Sequence, residues 1–220
     1  MQYILGDKQM IKKIADKNNL LNYASMLKKK GFKPGIDGMT AEGAGLWINL
    51  NGDRLCREIL NGTYEPMPAK GFRIAKKNGS YRKITKLTAL DTIIQNAALT
   101  VLEEIAEKQF SDRSFAYRKG FGATAALELY RQYASVYRYA AKVDPYACFD
   151  SIDHDILREA LVLLTADKEL SKFIMKCVCV PVEDDGEITN SVTGILQGAP
   201  LSPLPSNIYL HVFACNGCLS

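Results

Sequence analysis

Residues 141–155 read AKVDPYACFDSIDHD, and this stretch decides how the rest of the chain is interpreted. The largely apolar run 139–143 predicts a short central strand that ends at the carboxylate of Asp144. The residues from Asp150 to Asp153 then predict the start of a helix, because Asp and Ser are preferred N-cap residues. Taken alone, an Asp at a strand end is usually a turn or cap residue, so the role of Asp144 depends on the rest of the sequence.

A second informative stretch, residues 194–210, reads GILQGAPLSPLPSNIYL. Its Gly198 allows another backbone to approach closely. Pro203 and Pro205 are expected to delay the helix that follows to about residues 206–213.

These two stretches resemble the first catalytic motif and the Gln-Gly-x-x-Leu-Ser-Pro stretch of reverse transcriptases, most closely those of the group II intron type. The resemblance implies an RNA-directed DNA polymerase that uses two Mg²⁺ ions, an RNA template, a DNA primer and deoxynucleoside triphosphates, with intron RNA as a further partner. It implies that Asp144 is the catalytic metal ligand and that the carbonyl of Pro145 is a second ligand; magnesium prefers such hard oxygen donors. It also places Phe149 beneath the nucleotide sugar and Gln197 and Gly198 in the nucleotide pocket.

The segment from Lys70 to Lys86 is strongly basic, with seven cations and no acid. Asn78-Gly79 between alternating residues predicts a β-hairpin. The hairpin is either a solvated basic loop or a phosphate-binding surface. The resemblance favours the second interpretation: Arg82 is similar to the arginine that grips the triphosphate, and Lys76 and Lys77 would contact nucleic acid, as would Arg118 further along the chain.

Helices and hairpins alternate without a βαβ rhythm, which predicts an α+β fold. The resemblance implies right-hand polymerase fingers and a partial palm, C-terminally truncated. The predicted division is an N-terminal extension and fingers (1–87), palm (88–154), fingers (155–190) and partial palm (191–220).

Composition is that of an ordinary globular chain, with 47% hydrophobic residues, 24% charged residues and a net charge of +4. The sequence contains no run of 18 apolar residues, so no membrane span is expected. The N-terminus has no apolar signal-peptide core, so a cytoplasmic location is expected. Cys177, Cys179, Cys215 and Cys218 could form a zinc site, although the first pair has the wrong spacing for a zinc knuckle.

The sequence ends at Ser220 without the family's Tyr-x-Asp-Asp motif. These 220 residues are therefore expected to be a polymerase fragment that is inactive alone. A non-catalytic, maturase-like RNA-binding protein is the alternative, and a plain interaction domain without affinity for nucleic acid is a third class.

Overall fold

The computed structural model describes residues 9–75, 79 and 81–213. Within this part of the chain, eight helices and four strands form an α+β fold. In chain order these are α1 (Gln9–Ile14), α2 (Lys17–Lys29), α3 (Ala41–Leu60), β1 (Ala69–Ala75), β2 (Tyr81–Lys86), α4 (Ala89–Ala106), α5 (Ala123–Ala134), α6 (His154–Thr165), α7 (Lys168–Val178), β3 (Val182–Asp184), β4 (Glu187–Thr189) and α8 (Pro203–Phe213).

Side-chain caps explain where several helices begin. The side chain of Asp16 accepts from the N–H of Asn19, which starts α2 and separates it from α1. Thr40 and Thr88 cap α3 and α4 in the same way. A capping oxygen satisfies a backbone N–H that the first helical turn leaves unpaired, so these residues fix the helix register.

The centre of the fold is α4, in which eleven of eighteen residues are buried. It packs against α1, α2 and α3 and also against α6, α7 and α8. On its inner face Ile93, Ile94 and Leu102 are fully buried. One continuous core therefore connects the N-terminal helices to the segments that carry the two diagnostic motifs.

The predicted hairpin is present as β1 and β2, which belong to one four-stranded sheet in the order β2-β1-β3-β4. Strands β1 and β2 pair antiparallel, with Phe72 opposite Ile84. Strand β3 adds parallel to β1, with Ala69 opposite Val182, and pairs antiparallel with β4. The sheet thus brings the basic hairpin against the hairpin that follows α7.

The predicted strand 139–143 is wrong: this segment is irregular and exposed. A strand needs a neighbour that accepts and donates its backbone hydrogen bonds, and no strand of the described residues lies beside it. The adjacent helix α5 likewise has no buried residue.

The expected delay of the last helix is also wrong, because α8 begins at Pro203. Proline is tolerated in a first helical turn, where its missing N–H has no helical partner. In the described part of the chain, no helix is long and apolar enough to cross a membrane.

Candidate functional site

A cavity of about 350 Å³ lies where the basic hairpin, the start of α6 and the segment 189–197 meet. Its wall combines charged and polar side chains with the apolar residues that follow α7. The lining includes Lys83, Thr85, Asp150, His154, Cys179, Val180, Gly194 and Gln197. The cavity thus brings together the basic hairpin and both diagnostic stretches, which are far apart in sequence.

Backbone hydrogen bonds join the two diagnostic stretches directly. The N–H of Gly194 donates to the carbonyl of Ile152 (2.7 Å), and the N–H of Ile195 donates to the carbonyl of Phe149 (2.8 Å). Gly194 has a φ of +81°, and a Cβ there would lie 2.7 Å from the carbonyl oxygen of Asp150. A side chain at Gly194 would clash there, so glycine permits the close approach by which the turn at 149–152 and the segment 194–195 are hydrogen-bonded together.

The same segment is attached to the basic hairpin through Thr85. The backbone N–H and the hydroxyl of Thr85 both donate to the carbonyl of Gln197, at 2.8 Å and 2.9 Å. Gly198 has a φ of +102°, and a Cβ there would lie 2.8 Å from Cγ2 of Ile84 and 2.9 Å from the carbonyl oxygen of Thr85. The glycine predicted to permit a close approach therefore does so toward β2.

Three side chains form a hydrogen-bonded chain at the cavity. Nε of Arg82 donates to Oε1 of Gln197 (3.0 Å), and Nε2 of Gln197 donates to Oδ1 of Asp150 (3.0 Å). The guanidinium can only donate and an ionised carboxylate can only accept, so these partners determine which way the amide points. We call Arg82, Gln197 and Asp150 the Arg–Gln–Asp chain.

His154 and Cys179 lie on another wall of the cavity. Nε2 of His154 lies 2.6 Å from the carbonyl oxygen of Gly194 and 3.4 Å from Sγ of Cys179. A carbonyl oxygen can only accept, so Nε2 carries a proton in this contact and is not free to act as a base toward the thiol. Burial raises the pKa of Cys179 to about 11, which favours the neutral thiol over the nucleophilic thiolate.

The predicted metal ligands Asp144 and Pro145 lie in the exposed irregular segment before the 149–152 turn. Phe149 is partly buried and packs against the main core. Within the described residues, no group of three or more His, Cys, Asp or Glu side chains could hold a metal ion. One carboxylate and one carbonyl are too few oxygen donors for two adjacent divalent cations, so these residues alone do not fit the two-ion site.

The predicted zinc site includes Cys215 and Cys218, which lie outside the described residues. The predicted nucleic-acid contacts Lys76 and Lys77 also lie outside them. Cys177 is fully buried, and burial raises its pKa far above the ordinary value for a thiol. It is therefore a neutral core residue and not a preformed thiolate ligand.

Arg118, a predicted nucleic-acid contact, points inward. Its Nε and Nη2 donate to the two carboxylate oxygens of Glu107 (3.1 and 2.7 Å), and Nη1 donates to the carbonyls of Ser111 (2.7 Å) and Ser114 (2.6 Å). Its guanidinium carbon lies 3.8 Å from the ring centroid of Phe121. These contacts give Arg118 a structural role, and its contact with nucleic acid stays a prediction.

The structure adds two acids that the sequence interpretation did not assign to this surface. Asp184 on β3 lies 3.2 Å from Nζ of Lys83 and 3.6 Å from a guanidinium nitrogen of Arg73, so the basic hairpin is partly neutralised from the neighbouring strand. Asp150, interpreted from the sequence only as a residue at a helix start, contacts Gln197. The N-cap of α6 is in fact Asp153, whose side chain accepts from two backbone N–H groups.

Comparison with known proteins identifies the class. The family model described as reverse transcriptase (RNA-dependent DNA polymerase) matches residues 74–216, about two thirds of the chain. The chain belongs to this family.

The individual relatives include a group II intron-encoded protein. The chain is 33% identical over 159 residues to the group II intron-encoded protein LtrA of Lactococcus lactis, covering 72% of this chain and 26% of LtrA. It is 28% identical to protein YkfC of Escherichia coli, covering 84% of this chain and 50% of YkfC. A solved structure, the partial Cas6-RT-Cas1–Cas2 complex, shares the fold with a TM-score of 0.58 at 21% identity, covering 92% of this chain and 34% of that chain.

These relatives support the expected architecture of polymerase fingers and partial palm. The chain nevertheless spans only about a quarter of the length of LtrA and half that of YkfC. Membership of the family is therefore established for the part of a polymerase that this chain covers.

Proposed function

We propose that this chain provides the nucleotide-binding part of an RNA-directed DNA polymerase. In this proposal, the triphosphate of a deoxynucleotide binds between the basic hairpin and the segment 194–198, beside an RNA template and a DNA primer. Intron RNA would be a further partner, and the protein would act in the cytoplasm. The observation that carries the proposal is the Arg–Gln–Asp chain, which joins the hairpin to both diagnostic stretches at one cavity.

The charges at this cavity suit a polyphosphate. Arg82 is exposed, and only its Nε bonds to another described residue, so the two terminal nitrogens face no protein acceptor in this part of the chain. A guanidinium with free terminal N–H groups binds phosphate oxygens in a fork. Beside Arg82 in the sequence, Lys83 lines the cavity, although Asp184 offsets part of its charge.

The predicted metal ligands take a limited part in the proposal. In a complete polymerase site, Asp144 and the carbonyl of Pro145 would contribute to binding two Mg²⁺ ions, and further carboxylates would have to come from outside the described residues. Phe149 would lie under the sugar. Its backbone carbonyl is bonded to Ile195, so its position is coupled to that of the nucleotide pocket.

A ternary-complex assay tests the proposal. The protein is bound to an RNA template–DNA primer in Mg²⁺, and its dissociation is measured with the complementary or a non-complementary deoxynucleoside triphosphate. We expect the complementary nucleotide to slow dissociation, Arg82→Gln to remove this effect, and Arg57→Gln, at an exposed position on α3, to preserve it.

The salt dependence of template–primer binding tests the basic hairpin in the same assay. Replacing Lys76, Lys77 and Arg82 by Gln should reduce the slope of log affinity against log salt by about 0.7–0.9 for each phosphate that the variant no longer neutralises. Binding of RNA with no response to any nucleotide would refute the proposal and support the maturase-like alternative. An absence of nucleic-acid binding would refute both and leave a plain interaction domain.

A further inference from the structure

The carboxylate of Asp150 has no role in capping the helix that follows, since Asp153 provides both capping hydrogen bonds of α6. It is exposed, yet its Oδ1 is the acceptor for Nε2 of Gln197 at 3.0 Å. The side chain of Asp150 is therefore bonded to Gln197, which lies 47 residues further along the chain.

We propose that Asp150 is a positioning residue that orients the amide of Gln197 and, through it, holds Arg82 ready for the triphosphate. This proposal rests on the function proposed above. An amide side chain presents either an oxygen or an NH₂ group to a neighbour, and the two orientations have nearly the same shape. The acceptor at Asp150 selects the orientation in which NH₂ faces Asp150 and the oxygen faces Arg82.

The orientation determines which atoms of Arg82 remain available. Oε1 of Gln197 accepts from Nε, the nitrogen nearest the aliphatic stem, so the terminal nitrogens extend beyond the contact. The opposite orientation of the amide would place an NH₂ group against a cation, and two donors cannot bond to each other. Arg82 would then lose its anchor and sample other rotamers, which a bound phosphate would have to reverse.

The main chain holds this geometry independently of the side chains. Gln197 is fixed by the two bonds from Thr85, and the Asp150 turn is fixed by the bonds of Gly194 and Ile195 to the carbonyls of Ile152 and Phe149. Removing the carboxylate should therefore leave the fold intact and change only the order of the Gln197 and Arg82 side chains. This separation makes the proposal testable by substitution.

The test is ¹⁵N–¹H NMR of the protein, with the Nε–H signal of Arg82 assigned by its disappearance in Arg82→Lys. We expect Asp150→Ala to accelerate solvent exchange of this N–H by about fivefold, the factor that corresponds to one net hydrogen bond. Asp150→Asn keeps an oxygen acceptor for Gln197 and should restore slow exchange. Asp155→Ala, at an exposed carboxylate five residues away that pairs with Arg158, should also leave it slow.

Nucleotide affinity in the ternary-complex assay gives a second measurement. Asp150→Ala should weaken the effect of the complementary triphosphate about three- to tenfold, because one net hydrogen bond is removed, and Asp150→Asn should not. Unchanged exchange of the Arg82 N–H in Asp150→Ala would overturn the inference, even in a protein that binds nucleotide. Faster exchange in Asp150→Ala that Asp150→Asn does not restore would overturn it as well. Failure of every variant, including the wild type, to respond to nucleotide would overturn the proposed function, and the exchange rates would still decide the role of Asp150.

Discussion

Arg118 provides a direct test of a structural role against a role in binding nucleic acid. Its side chain is only 3% exposed, and its guanidinium contacts Glu107, two loop carbonyls and the ring of Phe121. The residues from Ser111 to Phe121 form the irregular connection between α4 and α5. Arg118 contacts this connection through the carbonyls of Ser111 and Ser114 and the ring of Phe121. We therefore expect Arg118→Ala to destabilise the connection.

The expected decrease in stability can be worked from these contacts. Two carbonyl hydrogen bonds from a charged donor contribute about 3 kcal/mol, and the stack on Phe121 adds about 1 kcal/mol. The ion pair adds less than about 1 kcal/mol, because Glu107 is half exposed and solvent screens it. Relaxation of the loop, which rehydrates the carbonyls, offsets part of the total, so we expect Arg118→Ala to lower the free energy of unfolding by about 3 kcal/mol.

Urea unfolding followed by circular dichroism measures this decrease, and Arg118→Lys is the matched control for charge. Lysine keeps the cation but lacks the planar fork, so it should recover less than half of the stability. The hydrogen bond from Arg118 lowers the pKa of Glu107, so stability from this pair is present above the ordinary glutamate pKa and is lost as the pH falls through the lowered value. A change in stability below about 0.5 kcal/mol, together with a salt slope for template–primer binding reduced by about one, would refute the structural role.

Two further predictions concern a buried acid and a glycine. Burial raises the pKa of Asp91, so its ionisation in the folded protein opposes folding, and stability is lost as the pH rises from about 4 through the raised value. Asp91→Asn should therefore gain stability relative to the wild type over this pH range, as measured by urea titrations at several pH values. A difference in stability that does not change with pH would contradict this prediction. Gly198→Ala should destabilise the protein by about 1–2 kcal/mol more than Gly186→Ala. Both glycines have positive φ, but only a Cβ at Gly198 would meet the backbone of β2. Equal decreases in thermal stability for the two variants would contradict this prediction.

The elements that local chemistry determines could be predicted from the sequence. The hairpin predicted around Asn78-Gly79 is present as the paired strands β1 and β2, because a hairpin depends on a few neighbouring residues. The predicted strand before Asp144 shows where local sequence is not enough to predict an element. A central strand depends on the strands beside it, and a short apolar run carries no information about whether they are present.

The candidate site shows the same division between local and long-range information. Arg82, Gln197 and Gly198 were identified from a resemblance carried by short motifs, and the structure brings them together. Asp150 was assigned to a helix start because Asp is common there, but its partner Gln197 lies 47 residues away. Likewise, the basic segment has no acid in its own sequence, but parallel pairing of β1 with β3 brings Asp184 to it. Such contacts follow from topology and not from composition.

The contacts of Gln197 connect three separate segments of the chain, so in the proposed function the binding of a nucleotide is coupled to the positions of all three. Its carbonyl is bonded to Thr85, its amide nitrogen to Asp150 and its amide oxygen to Arg82. A triphosphate that draws Arg82 toward itself would therefore act on the basic hairpin and on the Asp150 turn through one residue. Since the backbone of that turn also carries Phe149, the residues proposed to contact the phosphates and the sugar would respond to the same ligand as a connected unit.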